Sequence, residues 1–560
     1  MEIAMSPFKQ LQSVLTDYTE SGSAAKLLIL KECSLSTLSS AKTLSAYHDN
    51  LLFLLSHADN SSVLELAKAE MQRLTDTINQ KVTIRQQLTG SGIASTSTQG
   101  AYSISLIEWL LAEFPGCISL HSFDSGGVHP REVLRHVLPE AEFELLADEK
   151  LNQLKWLEKA SGTKNKSSML QWLVSSFGEM SAGPYLKDQL FESLKLFIEI
   201  NAPKGYKAGA TLEQFSRSYG SLNPTNYFFH KDGVLKKFNE PEVINRKLPA
   251  EKKLSDAEKK KIIAASRIAL CLLNRETDPV TYSEELNIRY YELERGLSIA
   301  LFSIDSERRQ PLESYIGFMM FKNGYPMSYG GAWLFGKRSL IGINIFEAFR
   351  GGESAMVFAQ LLRCYHMAFG ADYFEVEPYQ FGKDNPEGIQ SGAFWFYFRF
   401  GFRPCDKVLC DLALAEHKKI TGTKGYRSSP ETLKQFTKSN LFVDLEGNTT
   451  MPLNPSSLSR YVTHSINLNY KGNREAALQE SIRRLKKEKI ITGKENKMGL
   501  RKLALFIALC FAVEKMLARD KVILGKVIHA KGTSEFEYTR LLNDFPLQKY
   551  IRAEVKQFLL

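Results

Sequence analysis

The stretch "INIFEAFRGGESAMVFAQLLR", residues 343–363, changes its periodicity in the middle, and that change limits the folds open to the chain. Up to Phe346 the run is short and apolar, with Ile343, Ile345 and Phe346, as in a buried strand. From Met356 onward the apolar positions Met356, Val357, Phe358, Leu361 and Leu362 follow a helical period. A strand passing straight into a helix is the unit from which sheets with crossover helices are built. The junction is Arg350-Gly-Gly-Glu-Ser. Free N–H groups at a helix N-terminus carry partial positive charge, glycine admits close approach, and arginine adds a fork of donors, so the turn suits a phosphate. The same residues also make an ordinary tight turn.

The neighbourhood repeats the strand texture. "GLSIALFSI" (296–304), "YIGFMMFKNGYPMSYGGAWLFG" (315–336) and "SLIGINIF" (339–346) read as strands, and Asn323-Gly324 between apolar runs predicts a hairpin. A helix is expected over 353–369, a strand over 372–379 and a short aromatic helix over 389–400. Residues 338–346, 353–369, 372–379 and 389–400 should then form one strand–helix–strand–helix unit in a single sheet.

Outside this island the pattern is helical. "SSVLELAKAEMQRLTDTI" (61–78) is an amphipathic helix opened by serine caps, and "TGSGIASTSTQG" (89–100) is a loop. Residues 101–200 read as helices, including "YLKDQLFESLKLFIEI", and 201–250 read as loop. "LSDAEKKKIIAASRIALCLLN" is a long helix with Ser255 and Glu258 at capping-box spacing. From 405 to 560 the chain reads as helix, with a basic stretch "RRLKKEK" at 483–489. Four regions follow: helical 1–90, helical with loops 91–289, a strand-rich core 290–404, and helical 405–560. The fold class is α+β, a mixed sheet with flanking helices embedded in large, mainly α-helical N- and C-terminal regions.

Composition excludes some classes. The 560 residues carry 72 Lys and Arg against 62 Asp and Glu, a net charge of +10, which permits nucleic-acid or anionic-ligand binding without demanding either. Seven scattered cysteines without CxxC pairs argue against a disulfide framework and a zinc ribbon. The start, "MEIAMSPFKQ", lacks a signal-peptide layout, and the longest apolar run, 503–513, is too short to span a bilayer. A cytoplasmic location without a membrane span is expected.

"SGAFWFYFRFGFRP" (391–404) places Ala393, Tyr397 and Gly401-Phe402 at four-residue steps. Together with "FRGGESA" upstream, this resembles the GNAT superfamily of acyl-CoA-dependent N-acyltransferases, over about 100 residues within 290–404. In that family the fourth strand ends in Arg/Gln-x-x-Gly-x-Gly/Ala, whose turn binds the CoA pyrophosphate. Arg350 and Ala355 fit its first and last positions. A later Asn-x-x-Ala-x-x-x-Tyr-x-x-x-Gly-Phe is matched by Ala393, Tyr397, Gly401 and Phe402. The piece is also similar to a group of bacterial proteins of comparable length, through "GINIFEAFRGGESA" and "PYQFG". The resemblance implies acetyl-CoA or another acyl-CoA as co-substrate, with Phe346, Arg350, Gly351, Gly352, Ser354 and Ala355 holding it and no metal. Glu353 stands where the family has glycine and Gln390 where it has asparagine, and no final strand pair is legible after 404. A carboxylate at 353 suits the helix dipole but would oppose a pyrophosphate.

Acyl transfer to an amine needs a base for the amine, donors for the oxyanion and an acid for the leaving thiolate. Tyr397 is the candidate acid. Glu347, at the end of the strand, is a candidate base, with Glu375 and Glu377 as rivals on the next strand. Edge N–H groups of the 343–346 strand are the candidate oxyanion donors. The acceptor would be a small-molecule or protein amine. The competing reading is a non-enzymatic basic protein that uses such a scaffold structurally and binds nucleic acid. His121, Asp124 and His129 fall in an expected loop, and "SGTKNKSS" (161–168) lacks the Gly-Lys pair of a phosphate-binding loop.

Overall fold

The computed structural model describes residues 6–148, 150–201, 227–447, 452–493 and 495–559. A small sheet comes first in the chain. Its strands are β1 (Thr98–Gly100), β2 (Ile118–Phe123) and β3 (Leu196–Ile200), in the spatial order β1-β3-β2. It corrects three expectations. Thr98–Gly100, inside the loop expected over 89–100, is a strand. "LFIEI" at 196–200 is a strand following the helix Pro184–Ser193, and His121 lies on a strand rather than in a loop.

The largest feature is a second sheet of eight strands. They are β4 (Ser283–Glu292), β5 (Leu297–Ile304), β6 (Ser314–Lys322), β7 (Tyr325–Phe335), β8 (Arg338–Ile345), β9 (Tyr373–Val376), β10 (Arg403–Pro404) and β11 (Leu441–Asp444). Across the sheet the order is β10-β11-β9-β8-β7-β6-β5-β4. From β4 to β8 the chain is an antiparallel meander. Every residue of β5 is buried, as its unbroken apolar run requires of a central strand. The β6–β7 turn is the Asn323-Gly324 hairpin, both residues left-handed at φ 49° and 84°, a conformation these two residue types adopt with least strain.

The helix Ser354–Phe369 then carries the chain to β9, which pairs parallel with β8. β11 pairs antiparallel with β9 and with β10, so the last strand in sequence lies between two earlier ones. The strand–helix–strand–helix unit expected over 338–400 is present, but its final helix is two short ones, Pro386–Ser391 and Ala393–Arg399, broken at Gly392 with φ 66°. The helix Ser61–Gln80 is capped by Asn60 rather than by serine. The capping box of Ser255 and Glu258 forms as expected at the start of Asp256–Leu272. Most of the loop expected over 201–250 lies outside the described residues.

Three apolar cores organise these elements. One surrounds the large sheet and takes in the N-terminal helices through residues such as Leu51, Leu55 and Met71, so 1–90 is not a separate body. The second joins the small sheet to helices between 104 and 193. The third lies among the helices from Pro455 to Leu559 and reaches the sheet through Leu312 and Phe335. The sheet itself runs from Ser283 to Asp444, wider than the 290–404 core, because β4 and β11 extend it at both ends. The seven cysteines are free thiols.

Candidate functional site

The site begins where two strands part. β8 and β9 are paired only from Arg338↔Tyr373 to Leu340↔Glu375, yet β8 continues to Ile345. Phe346 donates its N–H to Met327 O of β7 at 2.9 Å, so by the alternation of the ladder Ile343 and Ile345 turn theirs toward the gap. Gln380 closes that gap. It sits in the single turn Pro378–Phe381 that ends β9, and its Oε1 accepts the N–H of Ile343 at 3.3 Å. The Tyr397 hydroxyl donates to the same oxygen at 3.4 Å. A backbone amide and a phenol therefore converge on one carbonyl oxygen.

Beside this point lies a cavity of about 1200 Å³. Ile343, Ile345, Arg350 and Ser354 form one wall, the 386–399 helices a second, and Ile420 to Lys434 a third. The third wall belongs to the helices Lys407–Gly422 and Pro430–Phe436, inserted between β10 and β11. Phe436 stacks on Phe394 with centroids 4.0 Å apart and fixes the insertion against the 393–399 helix. Tyr397 is buried and packed against Phe358, Phe381, Phe396 and Phe402, and burial pushes its pKa above the usual tyrosine value.

The walls are basic. Arg350 donates to Ile345 O at 3.2 Å and pairs with the exposed Glu387. Arg399, Arg427 and Lys434 form no ion pair among the described residues, and Asp384 is the one carboxylate lining the cavity among them.

Next to Arg350 the turn is built by glycine. Gly351 has φ 87°, and Gly352 passes so close to His57 that a Cβ would lie 3.0 Å from its Nε2. The following helix starts without a side-chain cap, leaving its first N–H groups open beside Ser354. Glu353 points the other way, into the protein. Its carboxylate accepts from Lys322 Nζ at 2.8 Å, Arg295 Nε at 2.7 Å and the Leu235 N–H at 2.9 Å. Although burial opposes ionisation, these donors, Lys322 foremost, hold its pKa down to about 2. The carboxylate that the sequence sets against a pyrophosphate is thus neutralised from beneath and does not line the cavity.

Of the residues singled out from sequence, Tyr397, Arg350 and Ser354 meet on the cavity wall. Gly351, Gly352 and Ala355 shape the turn, and Phe346 is buried behind it against Tyr329. The carboxylates fall elsewhere. Glu347 and Glu377 are exposed and do not line the cavity. Glu375 is gripped by Arg338 through two bonds of 2.9 Å and accepts from Asn440 at 3.4 Å. Sequence reasoning missed Gln380, Asp384, Arg427 and Lys434. Only Gln380 had a signal, its place in "PYQFG" after a strand.

Among the described residues no group of His, Cys, Asp and Glu is arranged to hold a metal, and no helix is long and apolar enough to cross a membrane. The chain matches no protein-family model, no curated protein and no solved structure.

Proposed function

We propose that the chain is an acyltransferase of GNAT-like architecture that moves an acyl group from an acyl-CoA to an amine. The observation that carries the reading is the parting of β8 from β9, with the Ile343 N–H and the Tyr397 hydroxyl aimed at one carbonyl oxygen in the gap. That oxygen belongs to Gln380 and stands in for the carbonyl of a thioester. The insertion of β11 between β9 and β10 supports the resemblance beyond its motifs, because it supplies the strand pair that the sequence did not reveal.

In this reading the thioester displaces the Gln380 amide. The amine nitrogen attacks the carbonyl carbon, and the oxyanion that forms is held by the Ile343 N–H. As the C–S bond breaks, the Tyr397 hydroxyl, which faces the same oxygen at first, turns to the departing sulfur, hydrogen-bonds to it and gives the thiolate its proton. The amine proton leaves through water toward Asp384, on the same cavity wall as Tyr397, and passes on through water to the Tyr397 phenolate, so both groups end as they began. Arg350 and the open helix N-terminus take the pyrophosphate, and Glu353 below them is already neutralised.

The test is release of free thiol from acetyl-CoA by the full chain against a panel of primary amines and amine-bearing peptides. Thiol release that depends on an amine and is lost in Tyr397→Phe is expected. Thiol release that Tyr397→Phe leaves unchanged, or none with any acyl-CoA and any amine, would overturn the assignment.

A further inference from the structure

The chain leaves the large sheet at Pro404 and rejoins it at Leu441, and these two residues pair with each other across β10 and β11. The helices between them are an excursion that the sheet does not need. They supply the third wall of the cavity, through Ile420, Tyr426, Arg427, Leu433 and Lys434.

That wall is firmly built. Glu416 is 3% exposed, and one of its oxygens accepts from the Tyr426 hydroxyl at 3.0 Å and the Ser428 hydroxyl at 2.9 Å. Lys419 holds the other oxygen at 2.7 Å. The loop on both sides of Arg427 is thus anchored to the helix Lys407–Gly422. Ser429 caps the next helix, Pro430–Phe436, whose last turn carries Lys434 and whose Phe436 is stacked on Phe394.

The charge in the cavity is divided. Arg350, on the first wall, pairs with Glu387 and meets the CoA pyrophosphate in the transfer proposed above. Arg399, Arg427 and Lys434 remain, without an ion pair among the described residues, and Asp384 is the one carboxylate that lines the cavity with them. Three unpaired cations on one concave surface draw in an anion. Trp395 lines the same cavity, and its indole N–H is buried without an acceptor among the described residues, a donor that a ligand oxygen would complete.

Position separates the acceptor from the CoA. In the sheet β11 and β10 lie beyond β9, on the side away from β8. The CoA runs from the thioester in the β8–β9 gap to the pyrophosphate past the end of β8, so the wall built after β10 faces the approach to the carbonyl that is left to the amine. Asp384 suits the ammonium end of that amine, and the three cations suit an anionic end.

We infer that the acceptor is a zwitterion, an amine that also carries a carboxylate or a phosphate, and that Arg427 and Lys434, with Arg399, bind its anionic group. Its role as acceptor rests on the acyl transfer proposed above. A polyamine or a lysine-rich peptide tail would bring more positive charge to a cavity already cationic.

The test uses the full chain and four amines: β-alanine, O-phosphoethanolamine, propylamine and putrescine. Thiol release from acetyl-CoA measures their use, and saturation-transfer NMR without CoA measures their binding. One of the two anionic amines should show a kcat/KM at least about tenfold above that of propylamine, with putrescine below both, and the better of the two identifies the anion. Arg427→Gln/Lys434→Gln should raise the KM for that amine about 10–100-fold at nearly constant kcat, with the KM for acetyl-CoA as in wild type and the fold intact by circular dichroism. Propylamine used as well as the anionic amines, putrescine preferred, or an equal rise in the KM for acetyl-CoA, which would assign these cations to the phosphates of CoA, would overturn the inference and leave acyl transfer standing. Anionic amines that bind, lose that binding in the folded double variant and release no thiol would keep the anion site and overturn the acceptor role. Neither binding nor thiol release would overturn both.

Discussion

Replacing Glu353 by glutamine should destabilise the protein more than any other single change at the turn. Glu353 is 2% exposed and Lys322 is fully buried. With Glu353 present, Lys322 donates to it and to Arg295 O at 2.7 Å, and burial already lowers the lysine's pKa to about 8. The amide introduced by Glu353→Gln would keep one oxygen for Arg295 and Leu235 but would present either a neutral oxygen or N–H donors to the ammonium. Removing one partner of a buried charge pair in this way costs about 3–5 kcal/mol. Urea denaturation at pH 7 measures it. Adding Lys322→Met removes the stranded ammonium and should recover most of the loss, because the remaining oxygen still serves Arg295 and Leu235. An unchanged midpoint for Glu353→Gln, or a double variant no more stable than the single one, would refute the coupling.

Tyr397→Phe should lose under about 1 kcal/mol of stability, since the hydroxyl makes one long bond of 3.4 Å. Its single-turnover rate should fall about 10²–10⁴-fold; a variant that turns over normally removes Tyr397 from the chemistry. Gln380→Ala empties the place the thioester takes, so calorimetry should show acetyl-CoA binding equal to or tighter than wild type, and a clear weakening would contradict the stand-in role. Acid should unfold the protein through His57 and His230, which stack at 5.2 Å and face Lys322, Arg295 and Glu353. Burial holds both imidazoles neutral, His230 down to about 3. Below their ordinary value of 6.5 the unfolded chain binds protons that the fold refuses, so stability falls as pH drops. His366, raised by Asp372, acts oppositely: its contribution is complete below 6.5 and is lost as pH rises. A net loss on the order of 2–4 kcal/mol between pH 7 and 5 is expected from urea midpoints, and equal midpoints would contradict it.

What the sequence revealed follows from range. The hairpin at Asn323-Gly324, the strand-to-helix switch at 346–354 and the capping box at Ser255 are local, set by the residues' own backbone preferences, and they form where expected. β11 did not show itself, because "LFVD" is four residues between helical segments and becomes a strand only by pairing with β9. "LFIEI" was absorbed into a helical reading because it follows a helix with only Leu194 and Lys195 between. At the site, Tyr397 and Arg350 were singled out through the motifs that carry the resemblance, and both line the cavity. Glu353 was misjudged because its partners Lys322, Arg295 and Leu235 are brought to it by the fold. The carboxylates failed for the same reason: nothing local in Glu375 reveals that Arg338, diagonal to it across a parallel pair, grips it.

Calorimetric titration of the full chain with CoA and acetyl-CoA tests the central claim most directly. Saturable binding with a dissociation constant of roughly 1 μM–1 mM is expected, as for a working co-substrate. Arg350→Ala should weaken it about 10–100-fold with the fold intact, the loss of one charge-assisted contact of roughly 1.5–3 kcal/mol. Glu387→Gln, which frees Arg350 from its ion pair, should tighten it. No heat and no thermal shift at millimolar CoA or acetyl-CoA, or equal affinity in Arg350→Ala and wild type, would contradict the account.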